Sequence, residues 1–260
     1  MALLWHNGSL EGVPREAALK HRVSPKNRLL QLVPDVEIAR LSSIAEKIEL
    51  RPKQVLHHWR LPMDDVYFLE TGLVSVSAKV GTDRFVTAWL IGSEGMIGAP
   101  LVLAEDDRKP PHRRVVQVGG KALRIPAHQF LSMLPELPSL RSVILRYISV
   151  VLSQTSQSGA CNCVHSLRQR LARWLLVASN ALECGDVRLT HKVLGELLGV
   201  RRASVTECLD ALESEGCIAN SRGAIHIKDD AMLRTIACEC FGFIEREQLR
   251  LMSAADAVPR

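Results

Sequence analysis

The sequence lacks several features, and each absence excludes a class of protein. No run of about 18 apolar residues occurs, so no segment is predicted to span a membrane. The N-terminus lacks a basic start followed by a long apolar stretch, so we expect no secretory signal and a cytoplasmic protein. With 47% hydrophobic and 23% charged residues, the 260-residue chain has the composition of a soluble globular protein with room for about two domains.

Acidic residues and prolines are missing from long stretches of the C-terminal half. Neither Asp nor Glu occurs between Leu137 and Leu182. The arginines of that stretch are Arg141, Arg146, Arg168, Arg170 and Arg173. This charge pattern is typical of a segment that faces a polyanion or lies where acids would be unfavourable. No proline occurs between Pro138 and Pro259, which favours a largely helical C-terminal half.

Cysteine is absent before Cys161, and the seven cysteines form no evident disulfide framework. Cys161 and Cys163 are two residues apart in a predicted helix, as are Cys238 and Cys240, so the members of each pair point about 200° apart. Neither pair is suited to chelate one ion, and we assign no metal ligand. We interpret these cysteines as small buried hydrophobes that stay reduced; an oxidation sensor or an iron–sulfur site is the alternative.

The N-terminal half is predicted to form a flexible arm and a β sandwich. Residues 1–27 show no sustained periodicity, which indicates the arm. Residues 28–136 begin with two short helices around Pro34 and continue with short β-branched or aromatic runs separated by Gly, Pro and Asp. The run "LVSVSAKV" alternates apolar and polar residues, as a half-buried strand does. Several such strands predict an antiparallel jelly roll.

A long helix over residues 137–163 is predicted to be apolar on two faces. One stripe contains Leu140, Ile144, Tyr147 and Val151, and the other contains Leu145, Ile148 and Leu152. The sandwich can cover one face and the same helix of a second protomer the other, which predicts a two-fold homodimer. The predicted interface residues are Leu140, Ile144, Tyr147, Ile148, Val151 and Leu152. Burial between the two domains of one chain is the alternative.

Residues 164–245 are predicted to form a winged helix-turn-helix, followed by a tail over residues 246–260. Thr190 is placed to cap a helix that ends at Leu198, Gly195 allows two helices to cross closely, and Gly199 can turn the chain sharply. A second helix over about residues 202–215 buries Val205, Leu209 and Leu212. Two short strands around Arg222 predict the wing.

The start of that second helix carries the candidate DNA contacts, because a helix-turn-helix inserts this end into the major groove. Arg202 is the candidate for a guanine edge, and Glu207 can accept from cytosine or orient Arg202. The other candidate DNA-binding residues, chiefly for phosphate, are Thr190, Arg201, Ser204, Thr206 and Arg222. Asp210, Glu213 and Glu215 lie toward the other end of the helix, which a helix inserted end-on tolerates.

The order of sandwich, long helix and winged helix-turn-helix resembles the Crp/Fnr family of bacterial transcription regulators over about residues 29–243. The most specific segments are "LTHKVLGELLGVRRASVTECLDALESEGCI", "SRGAIHI" and "ACEC". The resemblance implies an α+β protein with a cyclic-nucleotide-binding-like jelly roll, a dimerisation helix and a C-terminal winged helix-turn-helix. The implied partners are double-stranded DNA, a second copy of the chain and, for an activator, RNA polymerase. Of the family's Arg-Glu-Arg reading set, the matching residues are Arg202, Ala203 and Glu207, which predicts an altered target site.

The family's cyclic-nucleotide sensors use a Gly-Glu pair for the ribose and an Arg-Ser/Thr pair for the phosphate. Here Gly98 is followed by Ala99, and neither Arg113 nor Arg114 is followed by Ser or Thr. Gly98, Arg113 and Arg114 are therefore candidate contacts for an effector of unknown identity, and the ligand pattern for a cyclic nucleotide is incomplete. We expect no cofactor.

Three other functions are alternatives to that of an effector-responsive regulator. One is a cyclic-nucleotide-dependent regulator, and another is an effector-free architectural DNA-binding protein, whose affinity would vary with salt rather than sequence. The third is a cupin-type metalloenzyme, which needs clustered histidines. His57 and His58 are adjacent and point to opposite faces of a strand, and His112 is predicted to lie in a proline-rich loop. We therefore predict no enzyme activity.

Overall fold

A computed structural model describes residues 25–82, 84–104, 109–182, 186–221 and 223–253. Within these ranges the chain forms a jelly roll, a long central helix and a helical C-terminal domain with a small sheet. The predicted α+β fold is confirmed. None of the helices described there is long and apolar enough to cross a membrane.

Two antiparallel sheets of four strands form the jelly roll. Its strands are β1 (Glu46–Leu50), β2 (Val55–His57), β3 (Asp65–Leu69), β4 (Leu73–Val80), β5 (Arg84–Ile91), β6 (Met96–Ile97), β7 (His112–Val118) and β8 (Gly120–Pro126). The order is β1-β8-β3-β6 in one sheet and β2-β7-β4-β5 in the other. Apolar side chains such as Leu69, Val76 and Val116 fill the space between the sheets. The alternation of Leu73–Val80 was therefore a correct signal for a strand.

The chain enters this fold earlier than the sequence predicts. Asn27 is fully buried, and its amide nitrogen donates to the carbonyls of Leu69 and Gly95 at 2.8 Å each. The predicted arm of residues 1–27 is wrong at this end, because these two bonds hold Asn27 in the jelly roll. Residues 1–24 of the arm lie outside the described ranges. Helices α1 (Asp35–Ser42) and α2 (Ala127–Met133) complete the N-terminal half.

Helix α3 (Pro138–Val164) passes along the jelly roll and continues beyond it. Leu140, Ile144 and Tyr147 are buried in the hydrophobic core that α3 shares with the jelly roll of its own chain. The prediction that these three face a second protomer is therefore wrong, since no partner can reach them. Ile148 and Val151 are only partly buried, and the side chain of Leu152 is 62% exposed. Because Ile148 and Val151 pack against that same core, Leu152 is the one predicted interface residue that is exposed.

The C-terminal domain follows α3 after a short connection at residues 165–166, here called the hinge. Its elements are α4 (Leu167–Leu182), β9 (Asp186–Val187), α5 (His191–Leu198), α6 (Arg202–Ser214), β10 (Ile218–Ser221), β11 (Ala224–Ile227) and α7 (Asp230–Ile236). The strands form a sheet in the order β10-β11-β9. Leu73 and Leu90 of the jelly roll belong to the same hydrophobic cluster as Trp174 and Ala181 of α4, so the two halves share a core.

The chain does not end in a loose tail at residue 246. Helix α8 (Cys240–Ser253) returns to α3 and packs against it. Leu251 is buried in the core of the N-terminal half, and Met252 packs against that core. Ile244, Leu251 and Met252 recur at the spacing of one helical face, which is the signal that the sequence analysis missed. Residues 254–260 of the predicted tail lie outside the described ranges.

Candidate nucleic-acid interface

The helix-turn-helix is built by the local signals that the sequence contains. The hydroxyl of Thr190 accepts a hydrogen bond from the Val193 amide at 3.3 Å and caps α5. Gly199 adopts a left-handed conformation with φ +69°, which ends α5 and turns the chain. A Cβ atom at Gly195 would lie 3.0 Å from the carbonyl oxygen of Val200, so the close approach of α5 to the turn requires glycine. The predicted cap, crossing and turn are confirmed.

Helix α6 presents its N-terminal end to solvent and its other face to the core. Val205, Leu209 and Leu212 are fully buried, as their spacing predicts. Arg201, Arg202, Ala203 and Glu207 are exposed, and Ser204 is half-buried. The free amide groups at this helix end add partial positive charge to that of the arginines. This end of α6 is therefore the most suitable surface for contact with a nucleic acid.

Thr206 has a different role from the phosphate contact predicted for it. Its hydroxyl donates to the Arg202 carbonyl at 3.2 Å and accepts from Nδ1 of His191 at 2.9 Å. The other ring nitrogen of His191 accepts from the Asn220 side chain at 3.3 Å. Since the hydroxyl proton is used inside the domain, Thr206 holds α6 against α5 and the wing. No local pattern in the sequence indicates the pairing of His191 with Asn220.

The wing is the hairpin of β10 and β11, whose register pairs Ser221 with Ala224. The main chain of Gly223 has φ +84°, a conformation that favours glycine in this tight connection. Arg222, the predicted phosphate contact of the wing, lies outside the described residues. Asn220 fixes the wing to α6, because its backbone amide donates to Glu213 at 2.8 Å.

A cleft of about 1260 Å³ separates the C-terminal domain from the outer face of the β4–β7 sheet. Thr190, Arg202 and Ser221 line it from one side. Ser75, Arg113 and Gln117 line it from the other side. Among the described lining residues the basic ones are Lys53, Arg113, Arg188, Lys192 and Arg202, against the acidic Glu196. This interdomain cleft is positively charged.

A direct contact also joins the helix-turn-helix to the jelly roll. The Arg84 guanidinium of β5 donates to the Gly199 carbonyl at 3.4 Å, in the turn between α5 and α6. The helix-turn-helix is therefore held against the jelly roll at the residue that creates its turn.

The three effector candidates do not form a common site. Gly98 has φ +99°, and a Cβ atom there would lie 2.7 Å from Cγ1 of Val66, so this glycine is required by the path of the chain. The guanidinium of Arg113 stacks on the Phe85 ring at 4.0 Å and lines the interdomain cleft. Arg114 is 1% exposed. Successive residues of a strand face opposite sides, so Arg113 and Arg114 cannot bind one phosphate together.

Arg114 occupies the jelly roll beside two histidines. Its Nη1 donates to the His112 carbonyl at 3.4 Å, and burial lowers its pKa to about 10. Burial, together with the charge of Arg114, lowers the pKa of His57 to about 4. The same two causes lower the pKa of His112. His112 is the first residue of β7, so its assignment to a loop was wrong. Both imidazoles are neutral at physiological pH.

The cysteines occupy unexpected positions at the hinge. Cys161, at the end of α3, lies beside Cys238 and Cys240, and all three are buried. Cys163 is exposed, so the interpretation of the cysteines as buried hydrophobes is wrong for this residue. Cys238 lies outside any helix, between α7 and α8, so the helical geometry predicted for Cys238 and Cys240 is wrong as well. One cysteine of the first pair therefore meets both cysteines of the second pair.

Known proteins resemble this chain in sequence and in fold. Residues 169–236 match the model of the Crp-like helix-turn-helix domain. A global nitrogen regulator of Nostoc sp. is 25% identical over 165 residues, which are 61% of this chain and 74% of that protein. The structure of FixK2 from Bradyrhizobium japonicum is similar with a TM-score of 0.64 and 14% identity, over 75% of this chain and 98% of that one. The c-di-GMP responsive global regulator CLP of Xanthomonas campestris gives a TM-score of 0.61 and 18% identity, over 75% and 99%.

Proposed function

We propose that this chain is a Crp/Fnr-type transcription regulator that reads a specific DNA sequence as a homodimer through its helix-turn-helix. The recognition element is α6, inserted N-terminus first into the major groove. RNA polymerase is a further partner if the protein activates transcription.

The exposed start of α6 carries this proposal. Arg202 and Glu207 are exposed there, while Val205, Leu209 and Leu212 anchor the opposite face. Base edges are read by hydrogen-bonding side chains on such a rigid, anchored helix. Ser204 and Arg201 flank Arg202 and supply contacts to phosphate, which set the register of the helix on the duplex.

The partly covered stripe of α3 supplies the dimer interface in this proposal. Ile148 and Val151 pack against the core of their own chain but stay partly exposed, and Leu152 is exposed beside them. A second α3 packed along this stripe gives a two-fold axis between the two C-terminal domains. The two recognition helices then reach successive major grooves on one side of the duplex, about 34 Å apart.

DNA binding requires the interdomain cleft to open. Arg202 and Thr190 face the jelly roll across this cleft, so the jelly roll lies in front of the helix end that would contact DNA. The structure is thus a closed form, and the C-terminal domain has to turn at the hinge before α6 contacts DNA. A signal acts by favouring one of the two arrangements, since a ligand shifts an equilibrium only through different affinity for its two states. The nature of that signal is left open by this proposal.

Selection from random double-stranded DNA with the purified full chain tests the proposal. We expect enrichment of an inverted repeat whose half-sites lie about one helical turn apart. Enrichment of a single half-site would contradict the homodimer. No enrichment, with an affinity that depends on salt alone, would favour an effector-free architectural protein and overturn sequence-specific reading.

A further inference from the structure

The hinge contains four side chains with donor atoms suited to a soft metal ion. Each of these residues offers one donor atom, and the four atoms all lie within 4.8 Å of one another; the residues are Cys161, His165, Cys238 and Cys240. Sγ of Cys161 is 3.5 Å from Sγ of Cys238, and Sγ of Cys240 is 3.7 Å from Nδ1 of His165. We propose that this cysteine–histidine cluster binds one Zn²⁺ ion, in a site independent of DNA binding.

The spacing of the donor atoms favours a single tetrahedral ion. Zinc binds Cys sulfur at about 2.3 Å and His nitrogen at about 2.0–2.1 Å, which places tetrahedral ligand atoms about 3.5–3.8 Å apart. The Cys161–Cys238 separation of 3.5 Å and the Cys240–His165 separation of 3.7 Å both fall in this range. An iron–sulfur cluster holds several irons and sulfides between its thiolates and needs ligands that are farther apart. Three Cys and one His form a known type of closed structural zinc site.

The local chain geometry explains how the four ligands meet. Cys161 and His165 are four residues apart at the end of α3, so their side chains lie on one side of the helix. Cys238 and Cys240 come from the connection between α7 and α8, which packs against that helix end. The site therefore joins α3 to the end of the C-terminal domain, across the hinge.

The surroundings of the cluster match those of a metal site. His165 turns Nδ1 toward the sulfur atoms, while its Nε2 lies 3.4 Å from a carboxylate oxygen of Glu239. A carboxylate on the outer nitrogen fixes the tautomer and orientation of a metal-binding histidine. The Gln157 side chain donates to Sγ of Cys240 at 3.1 Å, a bond that suits a thiolate.

Arg173 supplies charge compensation for a site with three thiolates. It is 1% exposed, and its Nε and Nη2 have no hydrogen-bond partner among the described residues. The positive charge of Arg173 acts on both Cys161 and Cys238. Three thiolates and one Zn²⁺ leave one net negative charge, which the buried guanidinium balances.

Metal analysis of the full chain, purified under reducing conditions, tests the site. We expect one Zn²⁺ per chain, and after chelation the chain should take up Co²⁺ with the visible absorption of tetrahedral cobalt thiolate. Cys238→Ser should lose both properties, whereas Cys163→Ser, which changes the exposed cysteine nearby, should keep them. Equal loss in the Cys163→Ser protein would overturn the assignment.

A conservative variant keeps the test decisive if Cys238→Ser does not fold. Glu239 is 84% exposed in its side chain, so Glu239→Gln should fold normally and bind Zn²⁺ about 10–100-fold more weakly. Unchanged affinity in a competition assay with a chelator would contradict the role of Glu239. A brown protein that contains iron and sulfide, or a Cys161–Cys238 disulfide with no metal uptake after reduction, would overturn the zinc proposal. None of these results depends on DNA binding.

Discussion

Arg202 is the first residue of α6, where its side chain is free and the helix behind it is anchored by Val205 and Leu209. Its neighbour Thr206 is no longer available for phosphate, since His191 and the Arg202 carbonyl occupy its hydroxyl. Within the α6 start, we therefore expect base reading to depend chiefly on Arg202, with Glu207 five residues further along the helix.

We predict that Arg202→Ala relaxes sequence preference more than it weakens non-specific binding. Loss of a bidentate contact to guanine costs about 1–3 kcal/mol of discrimination, whereas a lost positive charge lowers affinity for all sequences by a smaller amount. Fluorescence anisotropy on the selected site and on random DNA measures both effects. Arg141→Ala, which removes an exposed arginine of α3, is the charge-matched control. Equal losses on the two DNAs for Arg202→Ala would refute its role in base reading.

His57 makes the stability of the jelly roll dependent on pH. Its pKa is about 4 in the fold and about 6.5 when unfolded, so protonation favours the unfolded chain. The stabilisation is complete above pH 6.5 and is lost as the pH falls toward 4, by up to about 3 kcal/mol. The free energy of unfolding, measured with denaturant at a series of pH values, should fall less steeply between pH 6.5 and 4 for His57→Gln than for the wild type.

The neighbouring histidine provides the control for that experiment. His58 is exposed, so His58→Gln should keep the wild-type slope. The pKa of His112 is also lowered, so part of the pH dependence of stability should remain in the His57→Gln protein. A His57→Gln protein with the full wild-type slope would show that His57 titrates normally in the fold.

At the scale of elements, the two apolar stripes of α3 are covered to different extents. Leu140, Ile144 and Tyr147 are buried against the jelly roll, whereas Ile148 is half-buried and Leu152 is 62% exposed. A single exposed apolar side chain is ordinary at a protein surface, so the proposed dimer depends on the surface that Leu152 forms together with its half-buried neighbours.

We predict that Leu152→Asp converts the dimer to a monomer, because two opposed carboxylates would be buried at the two-fold axis. Light scattering after gel filtration measures the mass directly. Val36→Asp introduces the same charge at another exposed apolar position, 64% exposed on α1, and should leave the dimer intact. A Leu152→Asp protein that remains dimeric would place the interface elsewhere.

The elements that the sequence predicted well are those encoded locally. Thr190, Gly195 and Gly199 act within a few residues of themselves, so the boundaries of α5 and α6 follow from the sequence. The errors concern contacts between distant segments. Asn27 bonds to Gly95, Leu251 packs into the N-terminal core, and Cys238 meets Cys161, and no periodicity in one segment reports such meetings. Within the candidate interface, the hydrogen bonds of His191 with Thr206 and Asn220 were not predicted either, because these residues are distant in the sequence and meet only in the fold.

At the scale of the whole molecule, the closed arrangement opposes DNA binding. The Arg84–Gly199 bond exists only while the C-terminal domain lies against the jelly roll. Arg84→Ala should therefore shift the equilibrium toward the open form and raise affinity for the selected DNA by about 2–10-fold, the equivalent of one hydrogen bond.

The direction of the affinity change in the Arg84→Ala protein separates domain opening from simple loss of charge. Removal of a positive charge alone lowers affinity for DNA, so an increase in affinity can come only from easier opening. Lys121→Ala removes an exposed lysine of β8 and should give a small decrease or no change. A decrease of the same size in the Arg84→Ala protein would argue against the closed form as a barrier.

The core shared by the two halves makes the opening of the hinge depend on temperature. Leu73 and Leu90 are at most 6% exposed because they pack in the cluster that contains Trp174 and Ala181, so opening the hinge transfers apolar surface to water. Exposure of apolar surface increases heat capacity, and the free energy of opening then curves with temperature instead of changing linearly. Cold weakens apolar association, so the closed form loses stability at low temperature as well as at high temperature. The occupancy of promoter DNA would in this way carry a thermal response that needs no ligand.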